Sequence, residues 1–484
     1  MMNIEIKINK AKKLYKKNEF EKSHLICKRL LRSNPELISV LKIQALNYQG
    51  MNNLDSALLF FKKISKINYT DANAWLDIAN VYFSQQKFEL AIYYYEKAIS
   101  FDPLKAILWN NVAACQVKLG DSVKAEVNYK KAISLDKSVS GFRINLALLF
   151  MEQAKFSDAI DLFIKTLEFD EKQTRAYLHV FHIFMYLHRY QDALEIADMA
   201  IASNALTDPE LCNILVGKAI LFWLFYNPEE GDQAIALSSH IYQYQYHSKT
   251  MANMVVFHRY LTELFKYRQQ ENNVYQCNEP ESTQEMFFVS ESHGFSPNNT
   301  IVNYQNASYQ IRSLFIMGAK IFHLINDDDN KHKASLKVLF ENLPKKSKVV
   351  VGFGEIDCRS NEGIFHHHLK TGKDISNIID EMLNKYVQML KTLAKDSMLE
   401  VILYGVPVPH PETMNVLGAE SKNKFKFLIE YFNASMAKIC LNNDIVFLDV
   451  YQLTTEQTEC KLHYYIDTTH LKPDTVSELF QKLT

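Results

Sequence analysis

A period of 34 residues runs through the first two hundred positions of this chain and limits what they can become. Ala11, Ala45, Ala79, Ala113 and Ala147 fall in one column of that period, which Phe181 continues. Ser23, Ala57, Ala91, Ala125, Ala159 and Ala193 form a second column, again 34 apart. Two antiparallel helices that cross closely need small residues at the crossing, because a longer side chain would push their axes apart. Tyr48, Tyr82 and Phe150 lie three residues after the first column, and Phe61, Tyr95, Tyr129 and Phe163 lie four after the second. Offsets of three and four keep each pair on one helical face, an apolar stripe that neighbouring repeats bury between them. Pro35 and Pro103 stand where a helix has to stop.

The third repeat carries Trp75, Ile78, Ala79, Tyr82, Ala91, Tyr95, Ala98 and Pro103. This resembles the tetratricopeptide pattern W-x-x-L-G-x-x-Y, A, F, A, P. The resemblance extends over six repeats, residues 4–207. Residues 208–270 read as degenerate or capping helices, which a solenoid needs at its end. The resemblance implies an all-α superhelix with a concave groove for a protein or peptide partner. Asp77, Asn111 and Asn145 fill a column that in some relatives grips peptide backbone; as plain residues they also suit a solvated helix face. Tyr93, Tyr94 and Tyr95 read as packing.

With 484 residues the chain is too long for one ordinary core. Its 54 Lys and Arg balance 55 Asp and Glu, so no global field draws it to nucleic acid or an anionic membrane. The opening MMNIEIKINKAKKLYKK lacks the apolar core of a secretory signal. The longest apolar stretch, Ile214 to Tyr226, carries Lys218 and falls short of the roughly 20 residues of a membrane span, so it reads as a buried helix. Seven scattered cysteines without a C-x-x-C suit a reducing compartment and argue against a thiolate zinc site. A cytoplasmic location is the expectation.

Residues 271–285 are polar, contain Pro280, and read as a linker. From 286 to 484 the pattern changes. Apolar runs at Met286 to Val289, Lys348 to Gly352, Leu399 to Tyr404 and Asp444 to Val450 read as strands. Helical patterns at Ile375 to Lys395, Lys422 to Cys440 and Asp474 to Leu483 separate or follow them. Strands alternating with helices predict an α/β domain with a parallel sheet covered on both faces, whose reactive groups collect beyond the carboxyl ends of the strands. Those ends read FFVSESHGFS, VVVGFGEIDCRS and VILYGVPVPHP, and YYIDTTHLKPD precedes the last helix. Together they hold a hydroxyl, an imidazole to take its proton and a carboxylate to fix the imidazole tautomer.

Asp467-x-x-His470 and Ser290-Glu291-Ser292-His293 resemble the last and first blocks of the SGNH, or GDSL, hydrolases. That likeness implies a three-layer, flavodoxin-like α/β domain with Ser292 as nucleophile, His470 as base and Asp467 as its orienter. The family's oxyanion donors include a glycine, for which Gly318 is the candidate, and an asparagine in G-x-N-D. Here the matching segment is Gly354-Glu355-Ile356-Asp357, and the asparagine is absent. Arg359 is a cationic substitute, with Glu355 and Asp357 to hold it or a sugar hydroxyl. The string G-E-I-D-C-R is similar to one in SGNH-like domains joined to repeats in bacterial polysaccharide loci. His366, His367 and His368 invite a metal reading with Glu355 and Asp357, but adjacent histidines diverge, and a hydrophilic loop at the rim is the simpler expectation. Cys358 shows no sign of activation. The resemblance therefore implies a serine esterase or acyltransferase for O-acyl groups of a carbohydrate or glycoconjugate, without metal or cofactor. The alternative is a scaffold whose hydrolase-like domain has lost catalysis or only binds glycan.

Overall fold

The computed structural model describes residues 2–225, 227–245, 252–270, 283–360, 362–415, 417–457 and 459–483. The chain divides into two compact units, Met1–Met151 with Lys155–Phe169, and Glu152–Ala154 with Asp170–Thr484.

The first unit is built of helix pairs: α1 (Met2–Lys16) with α2 (Phe20–Ser33), α3 (Ile38–Gly50) with α4 (Leu54–Ile67), and α5 (Ala72–Ser84) with α6 (Phe88–Phe101). Then follow α7 (Ala106–Lys118) with α8 (Ser122–Leu135), and α9 (Ser140–Glu152) with α10 (Phe156–Phe169). All the small-column residues of this unit, Ala11 to Ala147 and Ser23 to Ala159, are 0% exposed, as close helix crossing requires. Ser23 adds a hydrogen bond from its hydroxyl to the Ala11 carbonyl, 2.9 Å. Trp75 and Trp109, one period apart, each donate the indole N–H to the carbonyl six residues earlier, Tyr69 at 2.7 Å and Pro103 at 2.9 Å.

A feature of the turns repeats with the same period. Asn18, Asn52, Gln86, Gly120 and Ala154 have positive φ. The next N–H in each case closes back onto the carbonyl five residues earlier, as in Lys87 to Tyr82 at 3.0 Å and Asp121 to Gln116 at 2.9 Å. This is the left-handed ending that normally selects glycine, and only Gly120 meets it without steric cost.

The second unit opens with α11 (Thr174–Tyr186) and α12 (Tyr190–Ala202), joined through left-handed His188. Phe181, the large residue in a small column, is accommodated because α13 (Asp208–Leu224) presents Gly217 to it; a Cβ there would meet the Phe181 ring at 2.5 Å. Helices α14 (Pro228–Gln245) and α15 (Ala252–Gln270) follow. Among the described residues no helix is long and apolar enough to cross a membrane. Of the linker expected over 271–285, residues 271–282 lie outside the described residues.

The remainder is an α/β assembly. Its elements are β1 (Gln284–Ser290), β2 (Ile301–Tyr304), β3 (Ala307–Phe315), α16 (Ile321–Ile325), α17 (Lys331–Asn342), β4 (Lys348–Gly352), α18 (Gly363–Thr371) and α19 (Ile375–Lys395). They continue with β5 (Glu400–Tyr404), α20 (Pro411–Met414), α21 (Ala419–Asn442), β6 (Val446–Leu448), α22 (Val450–Thr454) and α23 (Thr475–Gln481). Strand order is β2-β3-β1-β4-β5-β6. Alternate residues face opposite layers. Val289, Val349, Val351 and Leu403 pack with α17, α19 and α21, while Met286, Phe288, Val350 and Ile402 pack with α23.

The sheet is mixed, not purely parallel as expected. Gln305 and Asn306 both have positive φ, a two-residue turn that folds β2 back antiparallel onto the edge strand β3. Two further expectations change. The strand sought over Asp444 to Val450 shrinks to Val446–Leu448, because Asp449 caps α22 by accepting from Gln452 N–H at 3.0 Å. His366, His367 and His368 lie on helix α18, not in a loop; Ile364 and Phe365, its buried residues, anchor the helix. Without β2, the parallel strands reverse direction of growth between β1 and β4, where open α/β sheets leave a crevice at the strand ends.

Candidate functional site

The crevice between β1 and β4 is where the chain puts its reactive groups. Strand β1 ends at Ser290, Glu291 follows, and Ser292 opens a single 3-10 turn, Ser292–Gly294. A side chain at Gly294 would collide with the Ser290 hydroxyl, so the turn can close this tightly only with glycine. The N–H of a residue that opens such a turn, here Ser292, is not used by the turn itself. The loop before α23 brings in His470, 178 residues away, with Nε2 at 3.0 Å from Ser292 Oγ.

Asp467 fixes that imidazole. Its Oδ2 lies 2.8 Å from His470 Nδ1, and its Oδ1 accepts from the Thr469 and His470 amides at 2.7 and 2.6 Å. Burial pushes the Asp467 carboxyl up, but the charge of His470 and these hydrogen bonds outweigh it and hold the group down at about 2. With the proton on Nδ1 shared with Asp467, Nε2 is left as an acceptor toward the serine. His470 is 1% exposed and Ser292 8%.

A second network adjoins the first. Glu291 Oε2 accepts from Ser292 Oγ at 2.9 Å and from the His293 amide at 3.3 Å, while its Oε1 lies 2.8 Å from His293 Nδ1. His293 Nε2 reaches the Thr469 carbonyl at 3.1 Å. Burial disfavours a charged His293, but Glu291 and Glu355 outweigh it and raise its imidazole to about 9. Glu291, buried as well, is held low mainly by the His293 charge. Glu355 grips Arg359 with both oxygens, the shortest contact 2.8 Å to Nη2. Among the described residues, Glu291, His293 and Glu355 form a cluster whose ligand atoms lie within 4.8 Å of one another, as a metal site would need. Their partners here are each other, Ser292, the Thr469 carbonyl and Arg359, which also reaches Glu362 at 3.5 Å.

A cleft of about 400 Å³ opens beside the triad, lined among others by Val256, Glu355, Arg359, Val408, Phe425 and Thr469. Of the residues expected here, Ser292, His470 and Asp467 come together, and Glu355 and Arg359 stand at the cleft. Asp357 does not. It is buried, and its carboxylate accepts from the Ile321 and Phe322 amides at 2.7 and 3.2 Å, capping α16. Burial drives that carboxyl up to about 7 against those bonds. Gly318 is exposed in the left-handed turn after β3. Gly354 has φ +133°, and a Cβ there would press on Phe432 at 2.7 Å; its carbonyl accepts from Cys358 N–H. The Cys358 thiol is buried and pushed well up by that burial. His366 and His367 line a different cavity with Asp357.

In the helical half the polar column is tied into cross-repeat bonds. Asp77 pairs with Lys42 at 2.8 Å. Asn145 donates to Asn110 at 2.9 Å, Asn110 to Asn111 at 3.1 Å, and Asn111 to Asn80 at 3.4 Å. A family model described as tetratricopeptide repeat matches residues 72–103, the α5/α6 pair. That match spans one helix pair of the N-terminal half. Solved structures similar to it include a tetratricopeptide repeat protein from Parabacteroides merdae, with 13% identity, 53% of this chain and 99% of that one covered, and TM-score 0.41. A thermophilic tetratricopeptide protein of Thermus thermophilus matches with 18% identity, 37% and 98% coverage and TM-score 0.33. YrrB, described as having an unusual peptide-binding site, matches with 21% identity, 37% and 91% coverage and TM-score 0.30. No curated protein sequence matches the chain.

Sequence reasoning missed two residues of the site. His293 stood inside the quoted motif, and its pairing with Glu291 two positions away was a legible signal. Tyr260, whose ring lies on His470, sits on a helix with no motif at all.

Proposed function

We propose that the α/β part is a serine-dependent ester hydrolase or acyltransferase acting on O-acyl groups of a carbohydrate, and that the solenoid binds a protein partner. The observation that carries this is the Ser292–His470–Asp467 chain at 3.0 and 2.8 Å. Ser292 Oγ attacks the ester carbonyl carbon as its proton passes to His470 Nε2, and Asp467 stabilises the resulting imidazolium. The bond to the leaving alcohol breaks while His470 returns the proton to that oxygen. Water yields the acid by the same route, or a second hydroxyl yields a transferred ester. The Ser292 N–H and Arg359 are the candidate donors to the oxyanion. Glu355, Arg359 and Thr469 beside an apolar wall suit a sugar hydroxyl next to an acyl group.

Two observations favour a non-catalytic scaffold. Glu291 competes with His470 for the single Ser292 hydroxyl proton, and Arg359 is already engaged by Glu355. Hydrolysis of a short-chain aryl ester by wild type, Ser292→Ala and His470→Ala separates the readings. The serine mechanism predicts a rate lost in both variants; a rate untouched by either would discard it.

A further inference from the structure

The imidazole of His470 is covered by a residue from outside the α/β assembly. Tyr260, on α15, is fully buried and stacks on His470 with ring centroids 3.7 Å apart and planes 10° from parallel. Phe257, one turn earlier, packs edge-on against Phe295 and Phe315 at 6.3 and 5.9 Å. Val256, four residues before Tyr260, is 51% exposed and lines the cleft that Glu355, Arg359 and Thr469 also border. Offsets of three and four put all these side chains on one helical face. That face is held in place. The Arg268 guanidinium donates to the Asn298 carbonyl at 2.6 Å and lies over the Trp223 ring, and Tyr267 donates to Asp474 at 2.9 Å.

We propose that α15 is part of the reaction site, with Tyr260 as a positioning residue for His470 and Val256 as a determinant of acyl-chain length. This rests on the serine reading above. Two in-plane hydrogen bonds, to Asp467 and Ser292, fix the direction of the His470 ring but leave it free to tilt about the axis joining them. A ring stacked flat on one face removes that tilt. The base then stays aligned through each proton transfer, where a small misplacement is costly. Val256 stands on the same helix at the cleft wall, so the position of one residue sets the position of the other.

The test compares hydrolysis of aryl acetate and aryl hexanoate by the full chain and its variants, with melting temperature and circular dichroism as folding controls. Tyr260→Phe keeps the stacked ring and retains kcat within about twofold. Tyr260→Leu loses kcat by roughly ten- to a hundred-fold with KM little changed. Val256→Phe, at a half-exposed position, slows the hexanoate at least about tenfold relative to the acetate. Full kcat in a folded Tyr260→Leu overturns the positioning role, and so does failure of Phe to rescue. Equal effects of Val256→Phe on both esters overturn the chain-length role. Activity surviving in Ser292→Ala, or a wild type inert to both esters, defeats the serine reading and this inference with it; loss confined to the Tyr260 variants does not touch that reading.

Discussion

Asp467 and Glu291 place two carboxylates around one serine and one histidine, and their environments assign them different work. Asp467 holds the far nitrogen of His470, whereas Glu291 touches the serine oxygen itself and balances a charged His293. Asp467→Asn would leave the loop capped but favour the wrong tautomer, so kcat for ester hydrolysis should fall by about a hundredfold or more with the fold intact. A fall of less than about threefold would contradict the role. His293 supplies a pH signature. Its imidazole is raised in the fold, so the stability it contributes is complete below about pH 6.5 and is lost as pH rises through about 9. Urea denaturation should therefore show wild type losing stability between pH 7 and pH 10, with a shallower loss in His293→Gln. Equal slopes in the two proteins would show that the buried pair carries no such linkage. At this scale Asp-x-x-His was legible because the partners are three residues apart and meet on one turn. The Ser292–Glu291 hydrogen bond and the diversion of Asp357 to α16 were not. They depend on which way a side chain turns once strands β1 and β4 are adjacent.

Among the elements, the 34-residue period was legible down to the turns. Helix starts at Ile38, Ala72, Ala106, Ser140 and Thr174 are each one period apart, and the left-handed turn residue recurs in step. The edge hairpin β2–β3 was not legible, because its turn is Gln305-Asn306 with no glycine and its strands mix polar and apolar residues. Two predictions belong here. Gln86→Gly removes the strain of a left-handed non-glycine residue and should stabilise the solenoid by about 0.5–1 kcal/mol, read as a raised melting temperature; a lowered one would contradict the turn assignment. Ala91→Leu forces a longer side chain into a crossing that is 0% exposed, and should destabilise by about 1–3 kcal/mol in chemical denaturation.

For the whole molecule, the break in composition at 271–285 drew attention to one boundary, while contact density groups everything from Asp170 onward with the α/β part. The reason is visible in particular contacts. Trp223 donates to the Phe295 carbonyl at 2.7 Å, Asn298 returns a bond to the Trp223 carbonyl at 2.8 Å, and Tyr260 reaches the imidazole. No local pattern in the sequence of α13 or α15 announces those partners. A chain beginning at residue 170 should therefore keep ester hydrolysis, while one beginning at 286 should lose it; equal activity in both would detach α15 from the chemistry. The central claim is that Ser292 is a nucleophile whose proton goes to His470. Its most direct test is intact-mass and peptide mapping after exposure to a fluorophosphonate. A single adduct on Ser292 is expected in wild type, slowed by at least about a hundredfold in His470→Ala and absent in Ser292→Ala. An unlabelled wild type, or label on another residue at the same rate in all three proteins, would contradict it.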